Sequence, residues 1–384
     1  MGQVPTRDVF IVSAVRTPIG RGRADGALAA VHPLNLLAKT LEESVHRAGV
    51  PKNLIEDIIV GCVTPVKEQG SNIGRLAALK AGFPIEVPGT QINRYCGSGQ
   101  QAIHFAAQAI AAGDMEIAIG AGIECMSRVP MGSDGGVSEE VRKDFPYPLV
   151  HQGWSAELLA EKYKLSRTEL DEYAAKSHTR AAQAAKSGWT RAEIMPVEVE
   201  GKVVEFDEGV RPSIDPAKMA SLPSVFKPEG GVVTAGNASQ ISDGAAAVVL
   251  ASGAAAERLG LKRLARVVTR VVVGSDPELM LDGPIEATRR ALQRSGLKID
   301  DMHAIEINEA FASVVLAWAR EHRPRMERVN IQGGAIAHGH PLGATGAVLM
   351  TKLVHILQRT GGRYGLQTMC EGFGMANATI IERV

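Results

Sequence analysis

Two stretches of the chain have a helical pattern but are apolar almost all the way round, residues 102–112 (AIHFAAQAIAA) and 343–357 (GATGAVLMTKLVHIL). A helix at a protein surface needs only one apolar stripe, so helices like these must be covered on every side. They therefore demand a layered fold with elements above and below them. Gly113 closes the first, and Gly361 with Gly362 follows the second, as expected for helix C-terminal caps. Strand-like text surrounds them: residues 8–14 (DVFIVSA), 55–63 (IEDIIVGCV) and 117–123 (IAIGAGI). The last two are continuous apolar runs, the pattern of strands buried on both faces. A turn-rich RTPIGRGRADG and a helical pattern over 34–48 follow the first strand, and this alternation predicts a layered α/β protein.

Residues 127–236 are richer in Pro, Gly and charge and contain two amphipathic helical patterns, at 156–163 and 167–187, which reads as an insertion covering a site. Strand character resumes at 245–251 (AAAVVLA) and 266–273 (RVVTRVVV), and Pro284 then opens a helix at a position where its missing N–H is tolerated. The 384 residues exceed one ordinary domain, so two or three packed units are expected. The two buried helices, each preceded by reactive residues, hint at two similar halves, although no clear sequence repeat accompanies them.

Composition narrows the functional classes. With 42 Lys+Arg against 42 Asp+Glu the formal net charge is zero, which argues against a nucleic-acid or anionic-membrane footprint. Four scattered cysteines, Cys62, Cys96, Cys125 and Cys370, form no CxxC pair, so neither a disulfide framework nor a metal site is expected. No run of membrane-spanning length and no leader pattern is found, making the cytoplasm the expected compartment. Met1, Gly2 and Thr6 fit a loose myristoylation pattern, read here as chance because no second anchor accompanies it.

Reactive side chains cluster just before the buried helices. In NRYCGSG (93–99), Cys96 stands at a helix start, where unpaired N–H groups and the dipole favour thiolate and can hold an oxyanion. The plainer reading is a small core cysteine. In GGAIAHGHPLGATG (333–346), His340, fixed by Pro341, suits a general base for a thiol or an oxyanion donor through Nε2, against the alternative of a helix cap or core histidine. His338 reads as structural or pocket-lining. CEGFG (370–374) supplies a second thiol, Cys370, in a glycine-rich turn, and Asn308 in NEAFA ends a strand-like stretch, where capping a helix is an equal possibility.

NRYCGSG, NEAFA, GGAIAHGHPLGATG and CEGFG, in this order, resemble the four signature blocks of the thiolases, and TAGNASQISDGAA (234–246) and HQG (151–153) resemble that family's CoA-binding loops. The resemblance implies an α/β thiolase fold, two similar βαβαβαββ halves packed as a five-layer α-β-α-β-α structure with an inserted loop domain. Its implied divisions are 1–121 with 243–267, the loop domain 122–242 over CoA, and 268–384. It implies that Cys96 is the acyl-carrying nucleophile, that Cys370 is the acid and base, and that His340 with an Asn308-held water forms one oxyanion hole. The N–H groups of Cys96 and Gly372 would form the other. His151, Arg211, Ala235, Ser239, Met280 and Phe311 would surround coenzyme A, a substrate rather than a resident cofactor. Acyl-CoA and CoA are the implied partners, in a homodimer or homotetramer.

Some positions depart from the family's common residues: Gln152, Lys218, His338, Glu371 and Phe373. These bear on acyl preference, not on reaction type. Cleavage of 3-ketoacyl-CoA leads, with acetoacetyl-CoA synthesis as the alternative. A decarboxylating ketoacyl synthase, a cysteine hydrolase using Cys96, His340 and Asn308, and a non-catalytic lipid carrier remain as further readings, the last opposed by the complete set of reactive residues.

Overall fold

The computed structural model describes residues 7–384, so Met1, Gly2 and Thr6 of the myristoylation-like pattern lie outside the described residues. The first half of the chain runs β1 (Val9–Arg16), α1 (Pro33–Ala48), β2 (Asp57–Gly61), α2 (Ile73–Lys80), β3 (Gly89–Ile92), α3 (Ser98–Ala112) and β4 (Ile117–Cys125). An insertion with helices α4 (Gln152–Lys162) and α5 (Arg167–Lys186) precedes β5 (Ser242–Ser252). The second half runs β6 (Ala265–Gly274), α6 (Gly283–Ser295), β7 (Met302–Ile307), α7 (Ala312–His322), α8 (Leu342–Thr360), β8 (Tyr364–Glu371) and β9 (Met375–Arg383).

Sheet order exposes the repeat that sequence comparison within the chain did not. β3, β2, β4, β5 and β1 lie side by side, and β7, β8, β9 and β6 repeat that order from β2 onward, with parallel and antiparallel pairs in the same places. The counterpart of β3 is reduced to one bridge, Ile305 to Val329. The two half-sheets meet through only two residue pairs of β1 and β6, Phe10 with Arg266 and Ile11 with Ala265.

Strand periodicity distributes the core between layers. In β5, Ala245, Ala247, Val249 and Ala251 face α1 and α2, whereas Ala246, Val248 and Leu250 face the central helices. This is the period-two alternation of a strand covered on both faces. The central layer is α3 and α8, with α6 and α7 on the far side of the second half-sheet, giving five layers. Ile103, Ile110, Leu353 and Ile356 are fully buried there, and each such side chain contributes roughly 1.5–3 kcal/mol relative to exposure. Glycine permits the approach of the two central helices: a Cβ at Gly346 of α8 would overlap the backbone of Gln100 in α3. Among the described residues no helix is long and apolar enough to cross a membrane.

Candidate active site

The two central helices begin close together. A Cβ at Gly99 would stand 2.8 Å from Gly343 O and 2.9 Å from Ala347 N, so the turns leading into α3 and α8 converge on one place. Cys96 lies in the first of these turns. Asn93 Oδ1 accepts from Tyr95 N at 2.8 Å, Ser98 Oγ accepts from Arg94 N at 2.8 Å, and Ser98 donates to Tyr95 O at 2.6 Å. These bonds hold Tyr95 at φ 46, a left-handed conformation that side chains other than glycine rarely adopt. The turn thus presents Cys96 immediately after a strained residue and immediately before the helix.

The helix start does not lower the thiol as the sequence suggested. Cys96 is 3% exposed, and burial, followed by the charge of Glu371, pushes its pKa up to about 12, while its own backbone N–H and Gln152 act in the opposite direction. Desolvation outweighs the dipole here, so activation requires a base rather than spontaneous ionisation.

His340, expected to serve as a base, is held by a fixed hydrogen-bond chain. Thr345 Oγ1, on the first turn of α8, donates its single proton to Pro341 O at 2.8 Å. At 2.6 Å from His340 Nδ1 the same oxygen can therefore only accept, which places the imidazole proton on Nδ1. Nε2 keeps its lone pair and faces Asn308 Nδ2 at 3.3 Å. Burial holds the His340 pKa down at about 4, so the ring is neutral at physiological pH. Neither His340 nor Asn308 caps a helix: α8 starts after Pro341 without a side-chain cap, and α7 starts after Phe311. Asn308 Oδ1 is buried without a hydrogen-bond partner among the described residues, an open acceptor suited to a bound water.

Cys370 enters from the second half-sheet. It is the penultimate residue of β8, whose parallel neighbour β7 leads into Asn308, and Asn308 N donates to Thr368 O at 3.1 Å. Its thiol is pushed well above the ordinary value, first by burial and next by proximity to Cys96. The hairpin from β8 to β9 turns through Gly372, Phe373 at φ 59 and Gly374 at φ 75, so Gly372 sits just past the strand end, where a Cβ would meet the ring of Tyr95, the residue before Cys96.

Two buried carboxylates support these turns, Glu309 of NEAFA and Glu124, which no motif marks. Glu309, fully buried, accepts from Tyr173 at 2.8 Å, Ser177 at 2.6 Å, Asn330 at 2.9 Å and Ile336 N at 3.2 Å, tying α5 to the turn before His340. Glu124 accepts from Val63 N and Gly343 N, both at 2.9 Å, joining the ends of β2 and β4 to the start of α8. Neither carboxylate belongs to a spacing pattern that names its partners. Only the fold brings those N–H groups to it.

Family models of the thiolase N-terminal and C-terminal domains match residues 9–254 and 261–383. This chain belongs to the thiolase family. It is 46% identical to the steroid 3-ketoacyl-CoA thiolase FadA6 of Mycobacterium tuberculosis, with 98% of this chain and 94% of that protein covered. A 3-ketoacyl-CoA thiolase of Vibrio parahaemolyticus is 41% identical, covering 98% and 99%, and the beta-ketothiolase BktB of Cupriavidus necator is 42% identical, covering 99% and 100%. The protein is thus an acyltransferase with thiolase function.

In this thiolase the positions expected around CoA form a connected path for the most part. His151 Nδ1 accepts from Gly153 N at 3.0 Å, capping α4, and its ring stacks on Phe226 with centroids 5.0 Å apart. Phe226 meets Phe311 edge-on at 6.1 Å, a contact the sequence reading missed because Phe226 lies in an unpatterned loop. Met280, at φ 52, shares the apolar cluster of Phe311 and Cys370. Ser239 N donates to Ala310 O at 2.9 Å, while Ala235 is exposed on the same strap. Arg211 stands at the surface, attached through its backbone N–H to His178 Nδ1 at 3.1 Å.

Proposed function

We propose that this thiolase cleaves 3-ketoacyl-CoA to acetyl-CoA and a shortened acyl-CoA through an acyl-Cys96 intermediate. The observation that carries the reading is the Thr345–His340–Asn308 chain, which leaves His340 neutral with its Nε2 lone pair engaged only by a long 3.3 Å bond from Asn308 Nδ2, a bond the Cys96 thiol would replace. Nε2 takes the Cys96 proton, and the sulfur attacks the 3-keto carbon. The bond between C2 and C3 breaks, and Cys370 protonates the departing enolate of acetyl-CoA. The Cys370 thiolate then removes the proton of incoming CoA, whose sulfur takes the acyl group from Cys96. The same steps reversed make the condensation.

His340, protonated after the first step, becomes a donor, and with a water on Asn308 it receives the enolate oxygen. The N–H groups of Cys96 and Gly372 receive the oxyanion of the acyl-transfer step. Loss of one such donor costs roughly 10²–10³ in rate. His151, Arg211, Ala235, Ser239, Met280 and Phe311 hold CoA, which enters as substrate, and residues 122–242 form the cover over it, between a first half of 1–121 with 243–267 and a second of 268–384. The names of the Mycobacterium and Vibrio relatives support a 3-ketoacyl-CoA substrate. The family suggests a homodimer or homotetramer, with the cytoplasm as its expected compartment, and the edge strand β3, flanked by exposed Leu76, Leu79 and Ile85, supports pairing there.

The test is Cys96→Ala with acetoacetyl-CoA and a longer 3-ketoacyl-CoA. CoA-dependent cleavage should vanish, and mass spectrometry should find acylated Cys96 only in the unsubstituted enzyme. Full turnover by the variant, or release of free acid without CoA, would overturn the reading.

A further inference from the structure

His338 and Lys352 are unexplained by the chemistry so far, yet both are almost completely buried, at 2% and 1% exposure. Lys352 lies in the middle of α8, the otherwise apolar central helix, where an ammonium group is costly unless all its protons are used. Two are, and the third faces an opposite charge. Nζ is hydrogen-bonded to Gly333 O at 2.6 Å and to His338 Nε2 at 3.1 Å, and Glu306 Oε2 lies 3.0 Å away as an ion-pair partner whose oxygens make no hydrogen bond among the described residues. An ammonium has three donors and no acceptor, so its two hydrogen bonds and this one carboxylate are what offset its burial. The His338 Nδ1 proton goes to Gly339 O at 3.1 Å, leaving Nε2 as the acceptor that Lys352 needs.

The three partners come from three places that matter to the reaction. Gly333 lies two residues before, and His338 at the end of, the short helical stretch Ala335–His338 that leads to His340. Glu306 is on β7, two residues before Asn308. Between His338 and His340 stands Gly339 at φ 111, a backbone state open to glycine, which makes that residue a hinge unless its flanks are held. One flank is the His340 N–H, which donates to Ser242 Oγ at 3.1 Å. The other is the His338 ring on Lys352.

We propose that Lys352, acting through His338 and Glu306, is a positioning residue of the reaction, fixing the His340 turn against the strand that carries Asn308. The inference rests on the roles given above to His340 and Asn308. A histidine at position 338 thus has a partner in Lys352, and the pair belongs together: an apolar residue at 338 would leave one ammonium donor empty in the core.

The experiment compares His338→Leu and His338→Gln in the full chain. Leucine removes the acceptor, whereas the glutamine oxygen can still take the Lys352 proton. In His338→Leu, kcat should fall roughly 10- to 100-fold, the range expected for a slight misplacement of a reacting group, with KM for both substrates within about twofold. His338→Gln should restore most of kcat. A structural role alone would lower Tm of the leucine variant without changing kcat of the folded enzyme. Retention of kcat by folded His338→Leu, or equal impairment of both variants, overturns the proposal. Should the leucine variant not fold, His338→Asn, too short to reach Lys352, takes its place with the same expected loss. The rate of Cys96 alkylation by iodoacetamide depends on the same base and should follow the same order. That readout separates this inference from the proposed function, whose failure would be absence of 3-ketoacyl-CoA cleavage in the unsubstituted enzyme.

Discussion

Glu371→Gln is predicted to alter the alkaline side of the enzyme's pH behaviour. Glu371 follows Cys370, is fully buried, and has no hydrogen-bond partner for either carboxyl oxygen among the described residues. It packs directly on Gly97, where a Cβ would overlap its Oε1, so the acid lies against the residue after Cys96. Burial raises its pKa to about 8, with the opposing pull of Arg94 too weak to cancel the effect. At neutral pH the group is therefore largely uncharged. A folded-state pKa above the unfolded value means that the native state binds the proton more tightly. Stability on this account is complete below about pH 4, falls as pH rises from there to about 8, and is then level. At about 1.4 kcal/mol per unit, the interval of roughly 3.5 units corresponds to on the order of 5 kcal/mol, an upper bound because local relaxation and water entry would reduce it.

The catalytic consequence has the same sign. Above pH 8 the ionised carboxylate lies beside Cys96 and opposes both thiolate and the oxyanion of acyl transfer. The pH profile of kcat/KM should be flat from about pH 6 and decline with an apparent pKa near 8 in the unsubstituted enzyme, whereas Glu371→Gln should hold its plateau to about pH 9. Thermal unfolding followed in parallel should show the glutamine variant gaining stability relative to its parent as pH rises. Superimposable profiles, together with a Tm difference independent of pH, would refute the argument.

Two further predictions follow from the site's geometry. Thr345→Val removes the acceptor that holds the His340 proton on Nδ1, leaving a buried donor unpaired at a cost of roughly 1–3 kcal/mol, so kcat should fall about ten- to a hundredfold with little change in KM. A mutant with unchanged kcat would show that the tautomer is set elsewhere. Phe226→Ala takes the ring from between His151 and Phe311, contacts of about 0.5–1.5 kcal/mol each, and should raise KM for CoA several-fold while sparing the rate of Cys96 alkylation. Steady-state kinetics at varied CoA would expose an unchanged KM and with it a wrong assignment of the CoA path.

Much of the frame was legible because it rests on periodicity. The all-round apolar segments became α3 and α8, and the continuous runs at 55–63 and 117–123 became β2 and β4. β9 was not anticipated. Its alternating Asn377 and Thr379 face the central helices, where Gln101 and Gln100 supply hydrogen bonds, so a buried strand reads as half polar. The site was partly legible for a related reason. Turn chemistry marked Cys96, His340 and Cys370, but the helix-dipole argument gave Cys96 the wrong shift, because local sequence does not reveal the depth of burial.

The sequence by itself determined which residues could react and that they belong to a layered α/β thiolase, since motifs and hydrophobic period are properties of neighbours along the chain. Only the tertiary structure decided their states. His340 is a neutral Nδ1–H tautomer because Thr345 and Pro341 enclose it, Cys96 is a protonated thiol because Val63, Met126, Leu342 and Met369 from distant parts of the chain bury it, and Lys352 is tolerated in the core because Gly333, His338 and Glu306 meet around it. Protonation and orientation depend on dielectric and on partners far apart in the chain, and those exist only once the two halves have packed together.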